Sequence, residues 1–83
     1  MMQPPRIKKV KAKDDRYLIV EFDNHVTKRY DVRPLLSREM FHLLKDPAFF
    51  RAVKVDTGGY AVYWNEDIDL SENELWTNGE LAD

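Results

Sequence analysis

The chain has 83 residues, enough for one small domain that buries only somewhat over ~60% of its unfolded surface, so self-association stays open as a source of stability. A hydrophobic fraction of 43%, ten aromatic residues and three glycines exclude a disordered chain, and the absence of cysteine excludes disulfides, thiolate catalysis and Cys-ligated zinc. The net charge is only −2, but residues 1–55 carry all 13 bases against 7 acids, while residues 56–83 carry 8 acids and no base. Either the two halves neutralise each other within the fold, the simpler reading, or an acidic face is offered to a basic partner. The opening Met-Met-Gln-Pro-Pro-Arg has no apolar core, and no apolar run is long enough to span a bilayer, so no membrane role and a cytoplasmic location are expected.

A first strand is predicted over Ile7 to Lys13, with Val10 and Ala12 on one face and Lys9, Lys11 and Lys13 on the other. Ile7 is out of step, so the strand starts after it or carries a bulge. The lysines read as edge-strand protection rather than as a nucleic-acid stripe, because no aromatic is interleaved for base stacking. Asp14-Asp15 is a turn. Tyr17 to Phe22 alternates on both faces, as a central strand does, and Val26 to Val32 follows as a third strand. A three-residue loop, Asp23-Asn24-His25, sets Phe22 opposite Val26 and Leu18 opposite Tyr30, keeping one face apolar, whereas a two-residue loop mixes apolar and charged residues. His25 then takes the left-handed position of the loop, a turn role rather than that of a metal ligand.

Pro34 ends the strand. Ser37 is the predicted cap of a helix with a Met40, Leu43, Leu44 stripe, off which His42 falls as a solvated residue. Asp46-Pro47 restarts a second short helix, with Asp46 as cap and Pro47 at its first position, leading to Phe49 and Phe50. Val53 to Asp56 and Tyr60 to Trp64 are antiparallel strands joined at Gly58-Gly59. Ser71 and Glu74 have the spacing of a capping box, with Leu70 and Leu75 at the staple positions of a C-terminal helix. Residues 78–83 are expected to fray.

The expected class is therefore α+β: one domain over 1–83, with an antiparallel sheet of about five strands, two short helices between strands three and four, and a capped C-terminal helix. Asn65, Asp67, Asp69, Glu72 and Glu74 form one acidic cluster, but a calcium loop counted from Asn65 has Leu70 where Gly is needed and Trp76 where Glu is needed. Ser37 and Ser71 serve as caps and not as nucleophiles, and neither a phosphate-binding loop nor a dinucleotide fingerprint is present. No enzyme, cofactor or metal site is expected. Glu72, Glu74 and Trp76 are the candidate partner-binding surface, since an acidic segment steers a basic partner and a Trp near the chain end anchors it. The alternative is a small-ligand pocket lined by Tyr63, Trp64 and Trp76.

Tyr30-Asp31-Val32-Arg33-Pro34-Leu35, Leu44-Lys45-Asp46-Pro47-Ala48-Phe49-Phe50, Val53-Lys54-Val55-Asp56 with Gly58-Gly59, and Trp64 with Ile68-Asp69-Leu70-Ser71 carry a resemblance over most of the chain. In their order and spacing they resemble the mainly bacterial family known as domain of unknown function 2442. His25 departs from the pattern, where the family hairpin usually has Gly. The resemblance implies a compact α+β domain with no assigned activity, and a small, toxin-like protein as partner in an antitoxin-like role. Some longer relatives append a helix-turn-helix, for which 83 residues leave no room, so nucleic acid is not the expected partner.

Overall fold

The computed structural model describes residues 4–82, and the alternation along Tyr17–Phe22 decides how they are layered. In this strand, β2, Leu18, Val20 and Phe22 are fully buried, while Tyr17, Ile19 and Glu21 lie half-buried on the other face. β1 (Ile7–Lys13) and β3 (Thr27–Asp31) flank it antiparallel, and β7 (Glu80–Leu81) adds to β3, giving the order β1-β2-β3-β7. A second antiparallel sheet has the order β4-β5-β6, from Lys54–Val55, Ala61–Tyr63 and Asp69–Ser71. The class is α+β, as expected, but the strands divide between two sheets instead of forming one of about five. The outer edge of β3, where a single sheet would continue, is taken by the C-terminal β7.

Both hairpins of the larger sheet follow from their turns. Phe22 N–H donates to the Val26 carbonyl (2.8 Å), Leu18 faces Tyr30 and Val20 faces Lys28, the register of the three-residue loop. His25 has φ 69, and the Asn24 side chain accepts from Val26 N–H (3.1 Å), an Asx turn that holds the loop. Asp14 and Asp15 also have positive φ, and the Arg16 N–H closes that turn on the Lys13 carbonyl. The register slips between Ile7 and Lys9, so β1 carries a bulge, and this returns Ile7 to the buried side.

The helical segment departs from its expected form. Instead of an α-helix capped by Ser37, residues Glu39–Lys45 wind as a 3-10 helix after Arg38, and the Ser37 hydroxyl donates to the Pro34 carbonyl. At three residues per turn, side chains at i and i+3 eclipse, so Phe41 and Leu44 share the buried face while Met40 and Leu43 face solvent. A stripe of Met40, Leu43 and Leu44 belongs to a period of 3.6. The next helix, α1 (Pro47–Arg51), starts as read: the Asp46 carboxylate accepts from Ala48 N–H (3.0 Å) and Pro47 occupies its first turn. Phe50 drops from α1 into the same buried cluster as Leu18, Phe22 and Val62.

Within the segment expected to fray, residues 80 and 81 form a strand, and Asp83 lies outside the described residues. Arg29 pairs with Glu80 and Lys28 with Leu81 in β7, and Ala82 N–H donates to the Thr27 carbonyl (2.9 Å). Gly79 makes this return possible through its size, because a Cβ there would collide with the Leu75 carbonyl, which accepts the Gly79 N–H that caps α2 (Glu72–Asn78).

The two sheets meet at Gly59, whose carbonyl accepts from Ile7 N–H (2.9 Å). Gly59 is buried with φ 75, and a Cβ there would strike the Ile7 carbonyl. Gly59→Ala is therefore expected to cost at least about 2 kcal/mol, combining left-handed strain with a disturbed inter-sheet bond. Gly58→Ala, whose Cβ meets only the ring of Tyr60, an exposed side chain, is expected to cost less. Urea midpoints of the two variants measure the difference. His25→Gly should be neutral or slightly stabilising, since Gly takes this conformation without strain; a loss above about 1 kcal/mol would reveal a contact made by the imidazole.

Candidate functional site

After β3 the chain turns through Arg33–Leu35, a single 3-10 turn with Pro34 at its middle, whose Pro34 and Leu35 face a common cavity with Glu74 and Asn78 of α2. Between these elements lies a cleft of about 520 Å³, lined by Arg16, Tyr17, Arg29, Tyr30, Asp31, Pro34, Leu35 and Arg38, with Glu74, Asn78 and Glu80 closing it from the C-terminal side. Its rim is a charge network. Asp31 receives Arg16 (3.3 Å) and Arg33 (3.2 Å), and Arg29 reaches Glu80 (3.2 Å). The Arg16 and Arg29 guanidinium groups also lie 4.5 and 4.8 Å from the centre of the Tyr17 ring. Arg38 lines the same cleft and, among the described residues, forms no ion pair.

At the inner wall the buried Tyr30 hydroxyl donates to Glu74 Oε2 (2.7 Å). Burial, then the hydrogen bond and charge of Glu74, push the phenol far above its ordinary range, so Tyr30 is a fixed neutral donor. Burial pushes the Asp31 carboxyl upward, but the Arg33 backbone N–H and the Arg33 and Arg16 guanidinium groups outweigh it and hold the group below its ordinary value.

The three residues singled out as a partner surface are separated by this geometry. Glu72 points to Arg6 (3.6 Å), whose guanidinium lies 3.7 Å above the Tyr60 ring. Trp76 is half-buried, edge-on to Phe22 at 5.1 Å, with the Lys28 ammonium 4.1 Å from its ring and bonded to its carbonyl. Glu74 alone reaches the cleft. The capping box is thus half made: Ser71 Oγ accepts from Glu74 N–H (3.1 Å), while the Glu74 carboxylate is drawn to Tyr30 instead of returning to the helix start.

Nor do Tyr63, Trp64 and Trp76 line the cleft. Trp64 stacks on Phe50 (6.2 Å, 19°) and donates to its carbonyl, whereas Trp76 packs on Phe22. Asn65 organises its own turn by accepting from Asp67 and Ile68 N–H, and among the described residues no three His, Asp or Glu side chains gather to hold a metal ion. His42 is exposed, its ring bonded to the Glu39 carbonyl. Arg16 and Arg38 were not marked by sequence, since an isolated arginine in a turn has no periodic signature; the proximity of Arg16 to Asp31 follows only once the β2–β3 register is set.

Fold and site together define a small two-sheet α+β domain with a polar, arginine-lined cleft. The chain belongs to the family described as a protein of unknown function, DUF2442, whose model matches residues 7–80. No curated protein matches it, and no solved structure does. No helix among the described residues is long and apolar enough to cross a membrane.

The Tyr30 environment sets a pH signature. Its folded pKa lies above the unfolded value of about 10, so its contribution is complete below pH ~10 and is lost as pH rises toward the folded value. Wild type should therefore lose stability above pH ~10 faster than Tyr30→Phe, which has no proton to lose, and denaturant titrations at pH 9 and 11 compare them. Asp31 acts with the opposite sign, stabilising above its unfolded pKa of about 3.9 and ceasing to do so as pH falls through its lower folded value. Ser71→Ala should cost about 1 kcal/mol through the lost cap, read from the denaturation midpoint.

Proposed function

We propose that the chain is a non-enzymatic protein-interaction module of the antitoxin-like kind, working in the cytoplasm, which takes a segment of a small, toxin-like protein into the cleft beside β3. The observation that carries this reading is Arg38: it lines the cleft without an ion-pair partner among the described residues, while Arg16 and Arg29 are paired. A planar guanidinium of this kind accepts a carboxylate in bidentate fashion, and Pro34 and Leu35 add an apolar wall for the adjoining side chain. Tyr30 supports binding over catalysis, because a phenol held neutral by burial and by its bond to Glu74 is a poor base at neutral pH. In this reading Glu74 shapes the cleft, and Glu72 and Trp76 hold α2 in place.

The test is affinity capture with the full chain as bait. Arg38→Glu, on an exposed residue, should unfold at the wild-type temperature yet retain less than about a tenth of the captured partner, since loss of a charged hydrogen-bonded pair costs ~1.5–3 kcal/mol. Equal capture by both proteins removes the cleft from the interaction.

The volume of the cleft favours one alternative, a small anionic ligand, because about 520 Å³ falls within the range of small-molecule sites. A library of carboxylate metabolites should then raise the unfolding temperature of wild type and not of Arg38→Glu.

A further inference from the structure

We infer that the open face of the four-stranded sheet is a binding site for single-stranded nucleic acid, a site that goes beyond the protein-partner reading and adjoins the Arg38 cleft, with which it shares Arg16, Tyr17 and Arg29. The register builds it. Lys13 stands directly opposite Tyr17, and Lys11 opposite Ile19, which in turn faces Arg29 on β3. Directly opposed residues share a face, so the lysines of β1 and the unburied side of β2 form one surface, opposite the side that carries Leu18, Val20 and Phe22. The lysine row of β1 has no aromatic of its own, and the neighbouring strand supplies one.

Charge on this face divides into used and unused groups. Its carboxylates are paired locally: Glu21 with Lys8 (3.6 Å), Asp31 with Arg16 (3.3 Å) and Glu80 with Arg29 (3.2 Å). Lys9, Lys11 and Lys13 are exposed and, among the described residues, have no carboxylate partner. They recur every second residue, roughly 6.8 Å apart along an extended strand, a straight row of positive charge that tracks a phosphodiester backbone. Beside the row runs a shallow groove of about 790 Å³, in which Lys11, Lys13 and Arg29 meet the apolar Ile19 and Leu81, with Asp14 as the one acid.

Lys13, in the groove, stands opposite Tyr17, whose ring is flanked by the guanidinium groups of Arg16 and Arg29, the second of which also lines the groove. Bases stack on tyrosine rings and on arginine planes alike, and a basic groove with such a platform is how sheet surfaces hold single strands without reading sequence. A duplex fits less well. Among the described residues the face is a sheet with no projecting arm, and the α-helices have only 5 and 7 residues, too short to enter a major groove.

Fluorescence anisotropy with labelled mixed-sequence DNA and RNA single strands of about 12 nucleotides, titrated with the full chain, tests the site. Engagement of three phosphates predicts an affinity loss of about 20-fold between roughly 50 and 200 mM salt. Lys11→Glu with Lys13→Glu should weaken binding at least about 10-fold, and Tyr17→Leu should weaken it while leaving the salt dependence unchanged, since it removes stacking and not charge. Lys11→Ala with Lys13→Ala serves in place of the glutamate pair if that pair lowers the unfolding temperature. Lys45→Glu with Lys54→Glu, and Arg38→Glu, should bind as wild type does, which separates this site from the carboxylate contact proposed for Arg38. The inference is overturned if wild type binds no oligonucleotide at low salt, if the Lys11 and Lys13 variants bind as tightly as wild type, or if polyglutamate of equal charge competes as well as unlabelled oligonucleotide, a result that assigns the face to acidic proteins.

Discussion

One backbone hydrogen bond, from the Ile7 N–H to the Gly59 carbonyl, is where two small sheets become one domain. Neither sheet could bury its apolar face alone: the second has strands of two or three residues, and a sheet that small has too little area to offset the entropy of ordering it. The bulge after Ile7 turns its side chain inward just as its backbone reaches Gly59, and Gly59 has no side chain to keep the strands apart. Arg6 extends the junction, bonding in both directions with Asp23 and lying over Tyr60 beside Glu72. The cleft depends on this junction at one remove, because α2, which closes it, begins at the end of β6, the outer strand of the second sheet.

The parts of this fold that were legible in sequence are those fixed by local chemistry. The loop at Asp23-Asn24-His25 could be derived from which faces meet, the Asp46-Pro47 and Ser71 helix starts from capping groups, and an irregularity at Ile7, either a late strand start or a bulge, from a broken alternation. What was illegible required knowledge of tertiary partners. The helical period of Glu39–Lys45 depends on which residues the core takes, and the core took Phe41 with Leu44. The Glu74 carboxylate had a local partner by spacing, and a buried phenol from a strand 44 residues away claimed it instead. The pairing of Glu80 and Leu81 with β3 could not be read from two residues that bury almost nothing. For the site, the three candidate residues were read as neighbours in sequence, whereas a helix directs Glu72 and Trp76 to one side and Glu74 to another.

The uneven charge of the two halves is partly consumed by folding. Arg6 meets Glu72, Arg29 meets Glu80, and Lys28 lies against the Trp76 ring and carbonyl, each joining the basic half to the acidic one. These contacts are partly exposed, so each is worth little alone, but together they orient α2 and the C-terminal strand on the sheet. The bases left over have a different character from those used. Arginines sit where planar groups can pair or stack, around the cleft, and lysines line β1 as solvated point charges.

The shortness of β7 has a kinetic consequence. Among the described residues, two paired residues, one exposed ion pair and a single further N–H bond from Ala82 hold it to β3, so it is expected to open more easily than the core and its amides to exchange faster than those of β2. Because Glu80 and Asn78 form one wall of the cleft, such an opening frees the Arg29 guanidinium and widens the cavity while Leu18, Val20 and Phe22 remain packed. The closed cleft is balanced in charge, whereas a form opened at β7 would be wider and more cationic and would offer the β3 edge to another strand.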